Sequence, residues 1–386
     1  MEDFFAFRNV QMIEDGQFIP NAAVVVAGDK IRYAGPEVGA PRLDGMPVID
    51  GRGRWVAPGY IDLQLNGGFG YDFTARPDSL GEVAQRLPQS GVVAFLPTFI
   101  TSPLAAYPAM LQAVIAAQAS QSPALLAGAR ILGAHIEGPF LSPQKKGAHN
   151  QDFFRPPDPE ALSMLRPIEA VRMLTLAPEI PGGLEAIDWL VAQQVVVSIG
   201  HSAAGEDVAL AAMRAGARYA THLYNAMSGM SHRDPGLVGA LLTEGRITCG
   251  LIVDGIHVHP RMVKLAYRTL GARRFTLVTD AMEAMGMPAG EYRIGDQRVI
   301  VAENTARLAD GTLAGSILRM DEAVRNMVAF SGCSPAEAVR MASTTPAEVL
   351  RIDHETGHLR RGYRADLILL DKELNVLETY IGGRRV

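Results

Sequence analysis

Cysteine is almost absent from this sequence: only Cys249 and Cys333 occur among its 386 residues. The two lie far apart and neither belongs to a CxxC pair, so the sequence excludes a disulfide framework. We therefore predict that both are buried as small apolar residues. So few thiols also fit a reducing compartment, which favours a cytoplasmic protein.

Long apolar runs and basic stripes are also missing. No segment reaches the roughly 18 uninterrupted apolar residues of a membrane-spanning helix. The first ten residues lack the basic and then apolar stretches of a secretory signal. The net charge is −5, with Lys and Arg scattered along the chain. These absences exclude membrane and nucleic-acid partners. Because the chain offers no general positive field, an anionic ligand would have to be bound by a local site.

Composition is that of a globular enzyme, with 48% hydrophobic and 20% charged residues. The first fifty-odd residues and the last thirty alternate in polarity and turn often at Gly and Pro, which is typical of short antiparallel strands. The sequence therefore predicts a small β-sandwich built from both termini, residues 1–56 and 356–386. Residues 57–355 are long enough for one barrel domain.

The middle of the chain alternates apolar runs with amphipathic helical stretches, the pattern of βα units around a parallel sheet. Eight apolar runs are candidate strands, which predicts an α/β fold of the (β/α)8 TIM-barrel type. They are YIDLQL, VVAFLPTFI, ILGAHIE, RMLTLAPE, VVVSIGH, YATHLYN, ITCGLIV and FTLVTD. Helices are expected at 103–119, 206–215 and 260–270, with Gly216 and Gly271 ending the last two.

Titratable side chains collect at the ends of four of these runs. Glu137 ends the third, His201 ends the fifth, His222 lies on the sixth and Asp280 ends the eighth. Function in a (β/α)8 barrel sits at the C-terminal ends of its strands, so these groups should share one rim. Two histidines and a glutamate are ligands that a catalytic divalent metal takes, and an aspartate can pass a proton to a leaving nitrogen. The sequence therefore predicts metal-assisted amide hydrolysis.

Seven motifs occur in an order that resembles the N-acetylglucosamine-6-phosphate deacetylase family of the amidohydrolase superfamily. They are PGYIDLQLNGG at 58–68, HIEGPF at 135–140, KKGAHN at 145–150, GHS at 200–202, THLYNAMS at 221–228, DGIHV at 254–258 and LVTDAM at 277–282. Each is weak alone, but in this order and at these intervals they are specific, and the resemblance spans nearly the whole chain. The resemblance implies hydrolysis of the acetamide of N-acetylglucosamine 6-phosphate to glucosamine 6-phosphate and acetate, in amino-sugar metabolism.

The resemblance also implies roles for individual residues. It implies that Glu137, His201 and His222 are the metal ligands and that Asp280 is the general acid and base. His149 would polarise the acetyl carbonyl. The implied substrate contacts are Ala148, Asn225, Ala226, Leu313, Ala314 and Gly315. Arg233 and His257 would bind the 6-phosphate, at or near the interface of a homodimer. An arginine fork there would meet the need for a local anion site.

One departure from the wider superfamily lies at the end of the first barrel strand. Many amidohydrolases carry HxH there, whereas this chain has Gln64-Leu65-Asn66. Amides are poorer metal ligands than imidazole, and family members with Gln and Asn here are associated with a single metal. We expect one divalent ion per subunit, with zinc favoured and iron, manganese or cobalt as alternatives. Gln64 and Asn66 then support the site or mark a vestigial metal site.

Other functions stay open on the sequence alone. One is deacetylation of N-acetylgalactosamine 6-phosphate, a sugar that differs from N-acetylglucosamine 6-phosphate in the configuration of one hydroxyl group. Another amidohydrolase acting on a different N-acyl substrate is disfavoured by the missing HxH. A scaffold without catalysis would have lost its ligands, and all four titratable strand-end residues are present.

Each assignment also has a plainer structural explanation. Glu137 could pair with Lys146, and Asp280 could cap a following helix. His135 shares a strand face with Glu137, and packing support is the preferred interpretation. The remaining histidines, expected at the surface, are His232, His259, His354 and His358.

Overall fold

The computed structural model describes residues 4–43, 45–121 and 128–386 of the chain. Its N-terminal part is built from β-strands. They are β1 (Phe4–Glu14), β2 (Gln17–Ala27), β3 (Lys30–Pro36), β4 (Val48–Asp50) and β5 (Trp55–Pro58). Asp15 and Gly16, which join β1 to β2, both have positive φ, as a two-residue hairpin turn requires.

The barrel has eight parallel strands, of which the third is interrupted. The first two are β6 (Tyr60–Leu65) and β9 (Val92–Ile100), with a short separate hairpin of β7 (Gly67–Gly68) and β8 (Tyr71–Asp72) between them. The third is β10 (Arg130–Ile131) continued by β11 (Ala134–Glu137). The other five are β12 (Val171–Leu176), β13 (Val196–Ile199), β14 (Tyr219–Ala220), β15 (Thr248–Leu251) and β16 (Phe275–Leu277). The ring closes where the Asp280 N–H donates to the Gln64 carbonyl at 2.9 Å, beside a parallel bridge from Leu65 to Ala281. All eight predicted strands, and the TIM barrel, are confirmed.

Helices connect the barrel strands and cover the outside. They are α1 (Leu80–Ala84), α2 (Tyr107–Ser120), α3 (Pro159–Ser163), α4 (Gly183–Ala192), α5 (Glu206–Ala215), α6 (Gly236–Thr243), α7 (Pro260–Leu270), α8 (Met320–Ser331), α9 (Pro335–Ala342) and α10 (Thr344–Val349). The three predicted helices correspond to α2, α5 and α7. Gly216 and Gly271 occupy the C-cap positions of α5 and α7 with positive φ, so the predicted helix ends are confirmed.

A small antiparallel sheet that the sequence analysis did not predict follows the last barrel strand. It consists of β17 (Gly290–Ile294), β18 (Gln297–Ala302) and β19 (Thr305–Arg307). Val299 and Val301 are buried on one face of β18 while their neighbours are exposed, the alternation of a half-buried strand. The buried face packs against Ile100 and Met282, which holds this sheet at the mouth of the barrel.

The C-terminal strands join the N-terminal ones in a single sheet. They are β20 (Leu367–Leu370), β21 (Val376–Ile381) and β22 (Arg384–Arg385). The strand order is β22-β21-β20-β5-β1-β2-β3, with β4 beside β1. Phe7, Val24, Leu367 and Tyr380 belong to an apolar cluster of this unit that is separate from the barrel core. The two termini thus meet as expected, and the boundaries at 56/57 and 355/356 stay predictions.

One histidine predicted at the surface is buried, so that prediction is wrong. His358 is 5% exposed, and its Nδ1 lies 2.7 Å from Glu14 Oε1. The other oxygen of Glu14 accepts the Leu359 N–H at 2.7 Å. A carboxylate far away in the sequence therefore satisfies the polar groups of this segment and permits its burial. The other three, His232, His259 and His354, are exposed as predicted.

Both cysteines, Cys249 and Cys333, are buried and free, which confirms their prediction. In the ranges that the structure describes, no helix has the length and apolar character needed to cross a membrane.

Candidate active site

A cavity of about 400 Å³ opens at the C-terminal ends of the barrel strands. It brings together most of the predicted site residues. Those that line it are Asn66, Glu137, Ala148, His149, His201, His222, Asn225, Ala226, His257, Asp280, Leu313 and Gly315. Gln64 and Ala314 are fully buried and do not line it, and Arg233 is exposed outside it. Their roles in binding and catalysis stay predictions.

Glu137, His201 and His222 form a compact group at the floor of this cavity. The Nε2 atoms of the two histidines lie 3.0 Å apart. Glu137 Oε1 is 3.1 Å from His222 Nε2 and 3.4 Å from His201 Nε2. All three side chains are buried. Three nitrogen and oxygen atoms therefore converge on one point, as a metal site with an open position requires.

The backbone turns sharply at three of the four titratable residues. His201, His222 and Asp280 have φ values of 47°, 22° and 48°, in the left-handed region. Each follows the end of a barrel strand by two or three residues. Residues with a side chain adopt this conformation rarely, and it persists where surrounding contacts hold it. The turns direct these side chains into the mouth of the barrel.

Hydrogen bonds fix which nitrogen of His201 can bind a metal. Its Nδ1 lies 2.9 Å from the Lys145 carbonyl, which can only accept, so Nδ1 carries the proton and Nε2 offers a lone pair. Gly147 allows the loop that carries Lys145 to lie close to the His201 ring. Its φ is +56°, and a Cβ added there would lie 3.0 Å from His201 Cε1. A lone pair aimed at a second imidazole and a carboxylate fits a divalent cation between them.

Glu137 is held by imidazole and amide groups. His149 Nε2 lies 3.7 Å from Oε2, and the Gln64 amide donates to Oε1 at 2.9 Å. Burial by itself would raise the pKa of Glu137, but the contacts with His149, His201 and His222 outweigh it and hold the pKa well below its usual range. In the part of the chain that the structure describes, the basic side chains paired with Glu137 are these histidines and not Lys146.

Asp280 lies beside this group, three residues after the last barrel strand ends at Leu277. Asn66 donates its amide N–H to Asp280 Oδ1 at 2.7 Å. Burial raises the pKa of the Asp280 carboxyl to about 6, and the nearby Glu137 carboxylate adds to the rise. A carboxyl with such a pKa is ionised at neutral pH and can still hold a proton briefly, which suits a general base. The next helix begins at Met320, so Asp280 caps none.

His149 is neutral and oriented by Thr101. The Thr101 N–H donates to His149 Nδ1 at 3.3 Å, and its hydroxyl lies 2.8 Å from the same atom. Because Nδ1 accepts, the proton sits on Nε2, the nitrogen nearer Glu137. Burial lowers the pKa of His149 to about 4, with His201 as a further cause. The ring therefore offers one N–H donor to the cavity.

Two lysines line the cavity without having been predicted there. Lys145 and Lys146 add positive charge to the lining, beside uncharged Gln144 and Thr312. The KKGAHN motif already indicated these lysines, because it places a lysine pair three residues before a candidate catalytic histidine. A chain that needs a local anion site would use positive charge at this position.

The fold and the site together define a class of protein. A (β/α)8 barrel with two histidines, a glutamate and an aspartate at its strand ends has the fold and the side chains of a metal-dependent hydrolase. The sequence profile of the amidohydrolase family matches residues 55–386. The chain belongs to the amidohydrolase family.

The chain is similar to known deacetylases in sequence and in structure. The chain is 42% identical over 332 residues to N-acetylgalactosamine-6-phosphate deacetylase of Escherichia coli O157:H7, covering 85% of this chain and 87% of that one. It is 41% identical over 353 residues to N-acetylglucosamine-6-phosphate deacetylase of Danio rerio, covering 88% and 86%. The crystal structure of N-acetylglucosamine-6-phosphate deacetylase from Pasteurella multocida matches with a TM-score of 0.93 at 34% identity, covering 99% of both chains. The predicted resemblance to this deacetylase family is confirmed.

Proposed function

We propose that this chain hydrolyses the acetamide of N-acetyl-D-glucosamine 6-phosphate to D-glucosamine 6-phosphate and acetate, in amino-sugar catabolism. The observation that carries the proposal is the convergence of Glu137, His201 and His222 beside Asp280 in one cavity. Deacetylases of this substrate are similar to the chain over most of its length. We place the activity in the cytoplasm, in line with the scarcity of cysteine.

The three converging side chains would hold one divalent metal ion, with zinc favoured by two imidazoles and a carboxylate. When bound, such an ion polarises a carbonyl group and lowers the pKa of a water molecule. Gln64 and Asn66 donate to Glu137 and Asp280, so both amides act as supports for carboxylates and neither is assigned as a ligand. This arrangement favours a single ion per subunit.

The proton transfers fall to Asp280. Its ionised carboxylate takes a proton from the attacking water, and the same group returns it to the nitrogen when the C–N bond breaks. The position of Asp280 suits both steps, because the side chain is buried beside the three converging groups and Asn66 holds Oδ1 at 2.7 Å. His149 donates from Nε2 to the acetyl oxygen, where negative charge grows in the transition state.

The phosphate would be bound by His257 and Arg233. His257 lines the cavity, and its Nδ1 lies 2.6 Å from Asp254 Oδ2, which fixes the ring. Arg233 lies outside the cavity of its own chain and is exposed. We propose that it reaches the cavity of a partner subunit in a homodimer, where its guanidinium group would bind phosphate oxygens.

The test of this function is acetate release by metal-replete protein. N-acetylglucosamine 6-phosphate is compared with its galactosamine epimer and with unphosphorylated N-acetylglucosamine. The proposal requires the fastest release from the first. Faster release from the epimer would replace the substrate, and release from none of the three would refute the proposal.

A further inference from the structure

The backbone at Asp280 needs support that its own strand does not supply. Its φ of 48° lies in the left-handed region, and β16 has already ended at Leu277. An aspartate there would relax to an ordinary conformation unless neighbouring groups held it. Relaxation would turn the carboxylate away from Glu137 and the cavity.

Ser316 donates two hydrogen bonds to the chain on either side of this strained residue. Its backbone N–H donates to the Asp280 carbonyl at 2.8 Å. Its hydroxyl donates to the preceding carbonyl, that of Thr279, at 2.6 Å. One residue therefore restrains two consecutive peptide groups, and these two groups set the φ and ψ angles of Asp280.

The direction of the Ser316 hydroxyl is itself fixed. The oxygen accepts the Leu318 N–H at 3.0 Å, which leaves its proton for the Thr279 carbonyl. Ser316 is 3% exposed and Thr279 is 2% exposed, so water does not compete for either bond. The restraint is buried and fully satisfied.

Strand β6 holds the other side of the segment. The Gln64 carbonyl accepts the Asp280 N–H at 2.9 Å, and Asp62 Oδ2 accepts the Thr279 hydroxyl at 2.5 Å. Asp280 thus lies between two sets of hydrogen bonds, and the Ser316 hydroxyl bond can be removed by a single small change that leaves β6 intact.

We propose that Ser316 is a positioning residue for the general base, holding the main chain of Asp280 in the conformation that directs its carboxylate to the reacting groups. The inference rests on the proposed deacetylase function and adds a residue to it. Ser316 does not line the cavity and touches no reacting atom. Its loss should therefore lower kcat and leave KM and metal affinity unchanged, because misplaced catalytic groups slow the reaction while binding contacts stay in place.

The test compares Ser316→Ala with a matched control, Ser331→Ala. Ser331 is also buried, donates to a backbone carbonyl at 2.7 Å and accepts an N–H two residues later at 3.0 Å, but it lies at the end of α8 outside the cavity. Both variants should lose similar thermal stability. Only Ser316→Ala should lose kcat, by roughly tenfold. Equal kcat in the two variants would overturn the proposal.

Two further measurements separate positioning from a general structural role. Ser316→Thr keeps the hydroxyl and should restore most of the kcat. In an Asp280→Asn background, Ser316→Ala should cause no further loss, because its effect passes through the Asp280 carboxylate. A further loss as large as in the wild type would contradict the proposal. If Ser316→Ala does not fold, Ser316→Cys, with its weaker donor, replaces it in the same comparisons.

Failure of this inference is distinct from failure of the proposed function. Wild-type protein that releases no acetate refutes the function itself. Active wild-type protein, together with a Ser316→Ala variant whose kcat equals that of Ser331→Ala, refutes only the positioning role.

Discussion

The side-chain amide of Gln64 donates to Glu137 Oε1 at 2.9 Å. The amide oxygen of Gln64 accepts the Thr221 hydroxyl, so the orientation of the amide is fixed. Oε1 is also the oxygen that lies nearest to His201 and His222. A position where many amidohydrolases carry histidine therefore holds the proposed ligand in place.

Replacing Gln64 by Leu should weaken metal binding. The variant keeps a similar side-chain size but removes the donor to Glu137 and leaves the Thr221 hydroxyl without its acceptor. Loss of such a supporting hydrogen bond typically costs about 10-fold to 100-fold in metal affinity. Competition titration with a chromophoric chelator measures the change. Gln118→Leu, which removes an amide bond to the Ile131 carbonyl away from the site, is the control and should bind metal normally.

Asp280→Asn should abolish most turnover while metal binding remains. An amide cannot take the proton from water, and general acid and base catalysis contributes about 10²-fold to 10⁴-fold. Steady-state acetate release and metal content measured on the same sample check both parts. Asp72→Asn offers a comparison, since Asp72 is also a buried aspartate whose pKa burial raises to about 6 but it lies outside the cavity lining. A similar loss of turnover in both variants would remove the special role of Asp280.

Arg233→Ala should raise KM for the phosphorylated substrate by roughly tenfold or more, because a charge-assisted bond to phosphate is lost. The KM for unphosphorylated N-acetylglucosamine should not change. Steady-state kinetics with both sugars measure this, and Arg246→Ala, another exposed arginine, should leave both values unchanged.

Mixing two impaired variants tests whether Arg233 acts on a partner subunit. In a mixed dimer, the chain with Arg233→Ala keeps its Asp280 and would receive Arg233 from a partner that carries Asp280→Asn. Activity at low substrate concentration should therefore rise after subunit exchange. If each site uses its own Arg233, mixing restores nothing.

The stability of the metal-free protein should depend on pH through His135. Burial lowers the pKa of this ring to about 4. The unfolded chain therefore takes up a proton below about pH 6.5 that the folded chain refuses, and stability falls as the pH drops. His135 should contribute a loss of about 2 kcal/mol between pH 7 and pH 5. Denaturant unfolding of His135→Gln at both pH values should show a smaller loss than wild type, whereas the exposed His354→Gln should match wild type.

The barrel was predictable because its signals are local. Each buried strand is an apolar run, and the polar residues at strand ends, such as Glu137 and His222, stand out against it. The small sheet over 290–307 carried a signal too, since Gly295 and Asp296 separate two short alternating segments. This pattern is typical of a hairpin, which the sequence analysis did not predict.

The supporting contacts of the site could not be read from the sequence. Thr101 orients His149 through its backbone N–H and its hydroxyl, and the Lys145 carbonyl orients His201. The burial of His358 depends on Glu14, which only the folded chain brings near. Such contacts depend on tertiary structure and leave no pattern in the order of residues.

The most direct test of the account is acetate release from N-acetylglucosamine 6-phosphate before and after metal removal. Protein stripped with a chelator should lose its activity, and one equivalent of zinc per subunit should restore it, because we propose that Glu137, His201 and His222 hold a single ion. Full activity in the stripped protein would contradict the proposed metal centre. A requirement for two equivalents would contradict the assignment of Gln64 and Asn66 as supports.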